Sequence, residues 1–290
     1  MAALRIGTCS WKYDSLRGIV YTDKSKINYL EEYSTRYDTV EIDQWFWSLF
    51  DDIIKLPEKP DVREYNDSVP ENFRFTIKVP NSITLTHYYP QKSTLAGKPN
   101  PYFLNPYLFQ QFLLTLEPMR NKIGVIMFQF EYLNKQKMNS ETEFIERLER
   151  FIETIDRNYN YSIELRNPNY LNRYYFDFLA RYKLSHVLLS GYFMPSIKEV
   201  FYKFKDQFGS PVIVRLHGPD RKRIEQLTGK DWSKIVLPKD DKIKHLPLII
   251  NYFLEKEVDV YVNVNNHFEG SAPLTIEKIN KLINPEPVQK

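Results

Sequence analysis

Along this chain, short apolar runs alternate with longer stretches in which apolar residues recur every three or four positions. The apolar runs begin near Leu4, Thr39, Phe73, Lys122, Asn160, Leu184, Val212 and Asp259. Their mean spacing of about 36 residues is what a strand, a crossover helix and two loops occupy. Runs such as 124–128 and 187–189 are continuously apolar, which suits strands covered on both faces, as in a parallel sheet. Between them, Phe144, Leu148, Phe151, Ile152 and Ile155 form a helical stripe, opened by a capping box at Ser140 and Glu143. Leu171, Tyr175, Phe178, Leu179 and Tyr182 repeat it, and a fainter helix falls near 59–68. Pro195 opens the helix after strand six, and Gly209 with Pro211 closes it. Residues 88–106, with four prolines and one glycine, read as a long loop at the ligand-binding end that could fold over a ligand. With no linker to divide the chain, the expectation is α/β: one TIM-type (β/α)8 barrel or a close variant over residues 1–290.

Most of these strands end in polar pairs two residues apart: Glu41 and Asp43, Glu164 and Arg166, Arg215 and His217, Asn263 and Asn265. Residues i and i+2 of a strand share a face, and barrel ligands bind at the carboxyl ends of the strands, so the recurrence marks a candidate site. Lys78 closes strand three with His87 nearby, and Gln129 closes strand four, whereas strand six ends blandly at Ser190 and Gly191. Buried charges are costly unless paired or bound to a ligand. The rival explanation is a set of internal ion pairs, Glu164 with Arg215 for example, that holds the barrel top together.

The ordered motifs Gly7-Thr8-Cys9-Ser10-Trp11, Thr39-Val40-Glu41-Ile42-Asp43, Phe73-Arg74-Phe75-Thr76-Ile77-Lys78-Val79-Pro80 and Thr86-His87 occupy the first third. Glu164-Leu165-Arg166, Arg215-Leu216-His217-Gly218 and Asn265-Asn266, followed by Gly270 and Ala272, come later. In these the chain resembles the YecE-like family, known as domain of unknown function 72, over nearly its whole length. The resemblance implies a TIM-barrel variant and no established reaction. It points to Trp11, Glu41, Lys78, His87, Glu164, Arg166, Arg215, His217, Asn265 and Asn266. The chain departs from the family pattern Glu-Ile-Asn-Ser-Thr-Phe-Tyr, reading Asp43, Gln44, Trp45, Phe46 and Trp47 after Ile42, and it carries Asn167 where a histidine commonly follows Glu-x-Arg.

Lys78, Arg166 and Arg215 suggest an anionic ligand, since guanidinium matches carboxylate or phosphate oxygens bidentately. The Gly270-Ser271-Ala272-Pro273 segment opens the last helix and His217-Gly218 follows strand seven, the usual places of a barrel phosphate clamp; a plain cap and a tight turn are the alternative. Glu41, Glu164, His87 and His217 are the candidate acids and bases, while His186, in mid-strand, reads as a core residue. Trp11, Asp43, Lys78, Gln129, Arg166, Arg215, Asn263, Asn265, Asn266 and Gly270 are the candidate substrate contacts. The indoles of Trp11, Trp45 and Trp47 could stack on a sugar or a base, though packing against loops explains them as simply.

No resident cofactor is expected. A divalent metal on Glu41, Asp43, Glu164 and His217 stays open, opposed by three cations in the same mouth and by the lack of an H-E-x-x-H motif. Forty basic against thirty-seven acidic residues leave a net charge of +3, which demands neither a nucleic-acid nor a membrane partner. No apolar run approaches the ~20 residues that cross a bilayer. Cys9 is the only cysteine and residues 1–6 are too short and polar for a secretory signal, so a cytoplasmic setting is expected. The reading is an enzyme using acid-base chemistry on a small phosphorylated or carboxylated, sugar-like substrate at the barrel mouth: a hydrolase, an isomerase or a lyase. The alternatives are a non-catalytic small-ligand sensor and a metal-dependent phosphodiesterase or nuclease. Oligomeric state is not legible.

Overall fold

The computed structural model describes residues 2–51, 53–89, 93–218 and 220–285. Eight parallel strands form the wall: β1 (Leu4–Thr8), β2 (Thr39–Ile42), β3 (Arg74–Lys78), β4 (Ile123–Gln129), β5 (Tyr161–Glu164), β6 (Ser185–Ser190), β7 (Val212–Leu216) and β8 (Val260–Val264). Each begins within one residue of its expected start. Seven neighbouring pairs are laddered in parallel, so the sheet runs from β1 through β8 and round to β2.

The eighth junction, β1 against β2, carries a single bridge at Cys9 and Glu41, where the Ser10 N–H donates to the Glu41 carbonyl at 2.9 Å. A side chain does the rest. Tyr33, on helix α1 (Tyr29–Ser34), inserts its hydroxyl between the strands, accepting from the Thr8 N–H at 2.8 Å and donating to the Thr39 carbonyl at 3.0 Å. Gly7 permits this closeness, because a Cβ there would collide with the Thr39 carbonyl oxygen. The barrel is thus nearly closed, and its seam depends on one hydroxyl and one missing side chain.

Among the described residues, seven more helices cover the wall, α2 (Lys59–Asp67), α3 (Pro106–Leu116), α4 (Glu141–Ile152), α5 (Arg173–Arg181), α6 (Ile197–Phe204), α7 (Leu246–Glu255) and α8 (Ala272–Ile283), and three further helices span Asn81–Thr84, Arg221–Thr228 and Asp240–Ile243. The predicted stripe of α4 is buried throughout. Its capping box is only half formed: Ser140 Oγ accepts from the Glu143 N–H at 3.1 Å, but the Glu143 carboxylate turns to the N–H and Nδ2 of Asn139. A complete box opens α6 at Ser196 and Glu199, one residue past Pro195. His186 is buried against Phe176 with Tyr175 Oη 3.1 Å from its Nδ1, and burial pushes its pKa down to about 3. It is a core residue.

Strand residues alternate between two cores. One face packs under the helices; the other builds an interior cluster of Val125, Met127, Val187, Ile213 and Tyr261. Gly124 leaves room for the Tyr261 ring, since a Cβ would lie 2.5 Å from its hydroxyl oxygen. Met127, Ile213 and Tyr261 each stand two residues before a polar strand-end residue, Gln129, Arg215 and Asn263, so this apolar plug floors the candidate site.

Residues 90–92 of the long loop lie outside the described residues. The rest is pinned to the residues just before it, with Asn100 Nδ2 donating to the carbonyls of Ser82 and Leu85 and the Leu104 N–H to that of Ile83. Among the described residues no helix is long and apolar enough to cross a membrane.

Gly7→Ala forces the seam apart or displaces Thr39, and its expected cost is about 2–3 kcal/mol. Equilibrium urea unfolding measures it, and a loss below 0.5 kcal/mol, within the ordinary surface-substitution range, contradicts this account of the closure.

Candidate functional site

Arg215 is the centre of the barrel mouth, and it is fully buried. Its Nε and Nη2 donate to Glu41 at 2.7 and 2.6 Å, a bidentate pair between β7 and β2. Its Nη1 donates to Glu164 Oε2 at 2.8 Å and to Gln129 Oε1 at 3.3 Å, reaching β5 and β4. Arg166 Nε and Nη2 approach the second oxygen of Glu164 at 3.3 Å. Burial by itself would raise the Glu164 carboxyl, but Arg215, then Arg166 and Lys78, hold it below the ordinary carboxylate value.

Three other polar groups around this pair network lack full partners. Lys78 is buried, and its ammonium lies 3.9 Å from the centre of the Phe46 ring. It makes no hydrogen bond or ion pair with any described residue. Desolvation, reinforced by Arg215 and opposed by Glu41, Asp43 and Glu164, pushes its pKa down to about 8. His217 has a buried Nδ1 with no partner, while its Nε2 faces Tyr192 Oη at 3.3 Å. Burial, then Arg215, Arg166 and Lys78, hold it well below its ordinary value, so it is a neutral imidazole. Asn263 stands in register beside Arg215, fully buried, with neither its carboxamide oxygen nor its nitrogen bonded. Asp43 is partly exposed, and its carboxyl is raised by burial against the opposing pull of Lys78. Cys9 Sγ lies 3.5 Å from Glu41, and burial and that carboxylate push its thiol well up, which makes it inert.

Several sequence expectations change on this geometry. Arg215 is not an open anion clamp, because all three of its nitrogens are engaged by Glu41, Glu164 and Gln129. The paired Glu41 and Glu164 are anchors for that guanidinium, and Glu164, held ionised, is a poor general acid. The four residues considered for a metal do not form a cage, since both glutamates close on Arg215; no group of three metal-ligand side chains converges among the described residues.

The phosphate clamp is also filled from within. The N–H groups of His217 and Gly218 donate to the Ser190 carbonyl at 3.1 and 3.0 Å. Asn266 Oδ1 accepts from the Ala272 N–H at 2.8 Å, capping α8, and a Cβ on Gly270 would sit 2.7 Å from the Lys234 carbonyl. Asn266 and Gly270 are therefore structural. His87 is not joined to the network; its Nδ1 lies 3.0 Å from Thr86 Oγ1, and its backbone bridges to Pro99. Trp11 packs edge-on against Tyr65 at 4.9 Å, with Trp45 stacked on the same ring, so the indoles hold loops. Asn167, at the position of the family histidine, pins Leu133 by its N–H and carbonyl.

One residue of the mouth went unread, and the beyond-strand position of His267 acquires neighbours. Tyr192 follows the bland end of β6, yet its ring lies 3.6 Å from the Arg166 guanidinium carbon and its hydroxyl faces His217. Gly191 before it, at φ +145°, is the one local sign of a special turn. His267 stacks beside His217 with ring centres 6.5 Å apart, and Asn265 orients it by accepting from its N–H and lying 2.6 Å from its Nδ1. His267 lines a cavity of about 440 Å³ with Lys12, Tyr13, Arg221, Glu225 and Lys230.

A family model described as "Protein of unknown function DUF72" matches residues 5–290. Among solved structures, a DUF72 family protein from Enterococcus faecalis V583 aligns with TM-score 0.68 at 20% identity, covering 98% of this chain and 96% of that one. A DUF72 family protein from Thermotoga maritima MSB8 aligns with TM-score 0.66 at 18% identity, covering 97% and 99%. At such identities the likeness shows the fold alone. No curated protein matches the chain.

Arg215→Met strands two buried carboxylates, and the expected loss is about 3–5 kcal/mol; adding Glu41→Gln and Glu164→Gln restores much of it. Denaturant unfolding of the single and triple variants decides this, and a mildly destabilised single variant contradicts it. The histidines set a pH dependence. His186 and His217 are neutral when folded and take up protons on unfolding below about pH 6.5, so stability falls as pH drops from there towards 5. Each contributes up to about 1.4 kcal/mol per pH unit. His186→Gln flattens the slope, as urea midpoints at several pH values will register.

Proposed function

The chain belongs to the DUF72 family, and from the chemistry of its barrel mouth we propose that it is an enzyme acting by proton transfer on a small anionic substrate. One observation carries this reading. Buried polar groups in folded proteins are nearly always hydrogen-bonded. Here both polar atoms of Asn263 and Nδ1 of His217 are buried without a partner around Arg215, and the Lys78 ammonium meets only the Phe46 ring among the described residues; the hydroxyls of Thr39, Thr76 and Ser162, each two residues before a strand-end residue of the mouth, are unbonded as well. A network built for stability alone would leave no such capacity; a substrate would take it up.

The roles follow from the protonation states. His217, neutral, and Lys78, near its pKa at physiological pH, are suited to accept and return a proton. Asn263 supplies a donor and an acceptor. Glu41 and Glu164 hold Arg215, whose fixed charge adds to burial in keeping His217 deprotonated. Around the cavity beside His267, Lys12, Arg221 and Lys230 face Asp14 and Glu225, and with Arg221 paired to Glu225 at 2.7 Å the remaining excess of positive charge is small, leaning to an anion over a cation. The free thiol of Cys9 suits a reducing compartment, which makes the cytoplasm the proposed setting.

The test is a thermal-shift panel led by phosphate, sulfate, sugar phosphates and sugar acids, followed by product analysis of each hit. A compound at one hundred times its Kd stabilises the native state by about 2.7 kcal/mol, a clear rise in melting temperature. His217→Gln should retain binding and lower turnover by roughly 100-fold or more. Ligands that stabilise the protein and are recovered unchanged would make it a binding protein instead, and a panel without any shift refutes the anionic class.

A further inference from the structure

Two lysines are buried among the described residues, and the chain treats them differently. Lys122 donates to the carbonyls of Asn66 and Val69, both at 2.8 Å, and pairs with Glu71 at 3.2 Å. That is a structural lysine, with its charge fully met. Lys78 receives nothing of the kind. Its amine rests on the face of Phe46, close enough to Arg215 to be repelled and within the field of Glu41, Asp43 and Glu164, but bonded to none of them. Lysine is a weak nucleophile while protonated, and the recognised ways to activate it are desolvation and a neighbouring cation. Both act on this amine, at the carboxyl end of a barrel strand, where barrel enzymes place their chemistry.

We infer that Lys78 is the nucleophile of a covalent step, condensing with an aldehyde or ketone group of the substrate to form an iminium. The inference rests on the proposed reading for its pocket and adds the substrate class: an anionic carbonyl compound, such as a keto acid or a phosphorylated aldose or ketose. The ammonium first gives one proton to a neighbouring base, the candidates being Asp43 and His217, both close enough to Lys78 to feel its charge. The freed lone pair on Nζ attacks the carbonyl carbon, and the C=O π pair becomes a hydroxyl by taking a proton from the attacking nitrogen, now a secondary ammonium. The C–O bond of this carbinolamine then breaks with return of the shuttled proton, releasing water as the nitrogen lone pair forms C=N. Overall, one ammonium and one carbonyl give one iminium and one water, so no oxidant, reductant or external acid is needed. The iminium is an electron sink that favours proton removal from the adjacent carbon, which suits an isomerase or a lyase.

The experiment uses the full chain with pyruvate or glycolaldehyde as probe and sodium cyanoborohydride as trap, which adds hydride to the iminium carbon and leaves a stable secondary amine. Peptide mass mapping then locates the adduct. At pH 8 the Lys78 peptide should carry it roughly tenfold or more faster than that of exposed Lys203, with a rate that levels off above about pH 8, where an ordinary lysine levels off only above about 10.4. Lys78→Met should remove the adduct while its unfolding transition stays cooperative, and Lys78→Arg gives a second non-nucleophilic check. Adducts confined to exposed lysines such as Lys203, or a Lys78 rate that follows theirs with pH, overturn the inference. If sugar phosphates still raise the melting temperature and are turned over in that case, the proton-transfer reading stands alone. If they do not, both fall.

Discussion

A guanidinium buried between two carboxylates organises this molecule. Arg215 draws together the ends of β2, β4, β5 and β7, of which only β4 and β5 are laddered to each other, so one side chain sets the spacing of half the barrel mouth. Ions so deeply buried are tolerated only with near-complete pairing, and Arg215 has it. The apolar plug of Val125, Met127, Val187, Ile213 and Tyr261 lies below, so the charges cannot relax into the barrel. The seam between β1 and β2 depends on the same place, since Glu41, which holds Arg215, also supplies the carbonyl that bridges to Ser10.

This network helps set the protonation of its neighbours. Burial is the main cause that depresses His217 and Lys78, and Arg215 adds to it while Glu41 and Glu164 oppose it at Lys78; at Cys9, burial and then Glu41 raise the thiol against Arg215. One arrangement thus yields a neutral imidazole, an amine poised near physiological pH and a silent thiol within the same few strand ends. Tyr192 completes the rim by covering Arg166 and meeting His217. The side chain of Asn263 and Nδ1 of His217 remain unbonded beside the network.

Much of the fold was legible because its signals are local. The strand starts followed from apolar runs and the helix faces from a period of 3.6, both properties of neighbouring residues. The polar pairs at the strand ends were legible for the same reason, as were the candidate positions Lys78, Gln129, His217 and Asn263. Less readable were the caps: Glu143 fits the box pattern beside Ser140, yet Asn139 competes for its carboxylate. The phosphate clamp misled because the same glycines and helix start serve as well for close backbone contacts, here with Lys234, Ser190 and Asn266. Tyr192 was missed because nothing near it in the chain is charged.

By itself, the amino-acid order determined an eightfold repeat of strand and helix and the residue types that its strand ends present to one mouth. It did not determine which of those charges cancel. Arg215 and Glu41 lie 174 positions apart, and a guanidinium reads alike in sequence whether it meets two carboxylates or faces solvent. Only closure of the barrel decided that Arg215 is satisfied and Lys78 is not, because pairing depends on distances of a few ångströms across the mouth, and those are set by the packing of all eight strands together.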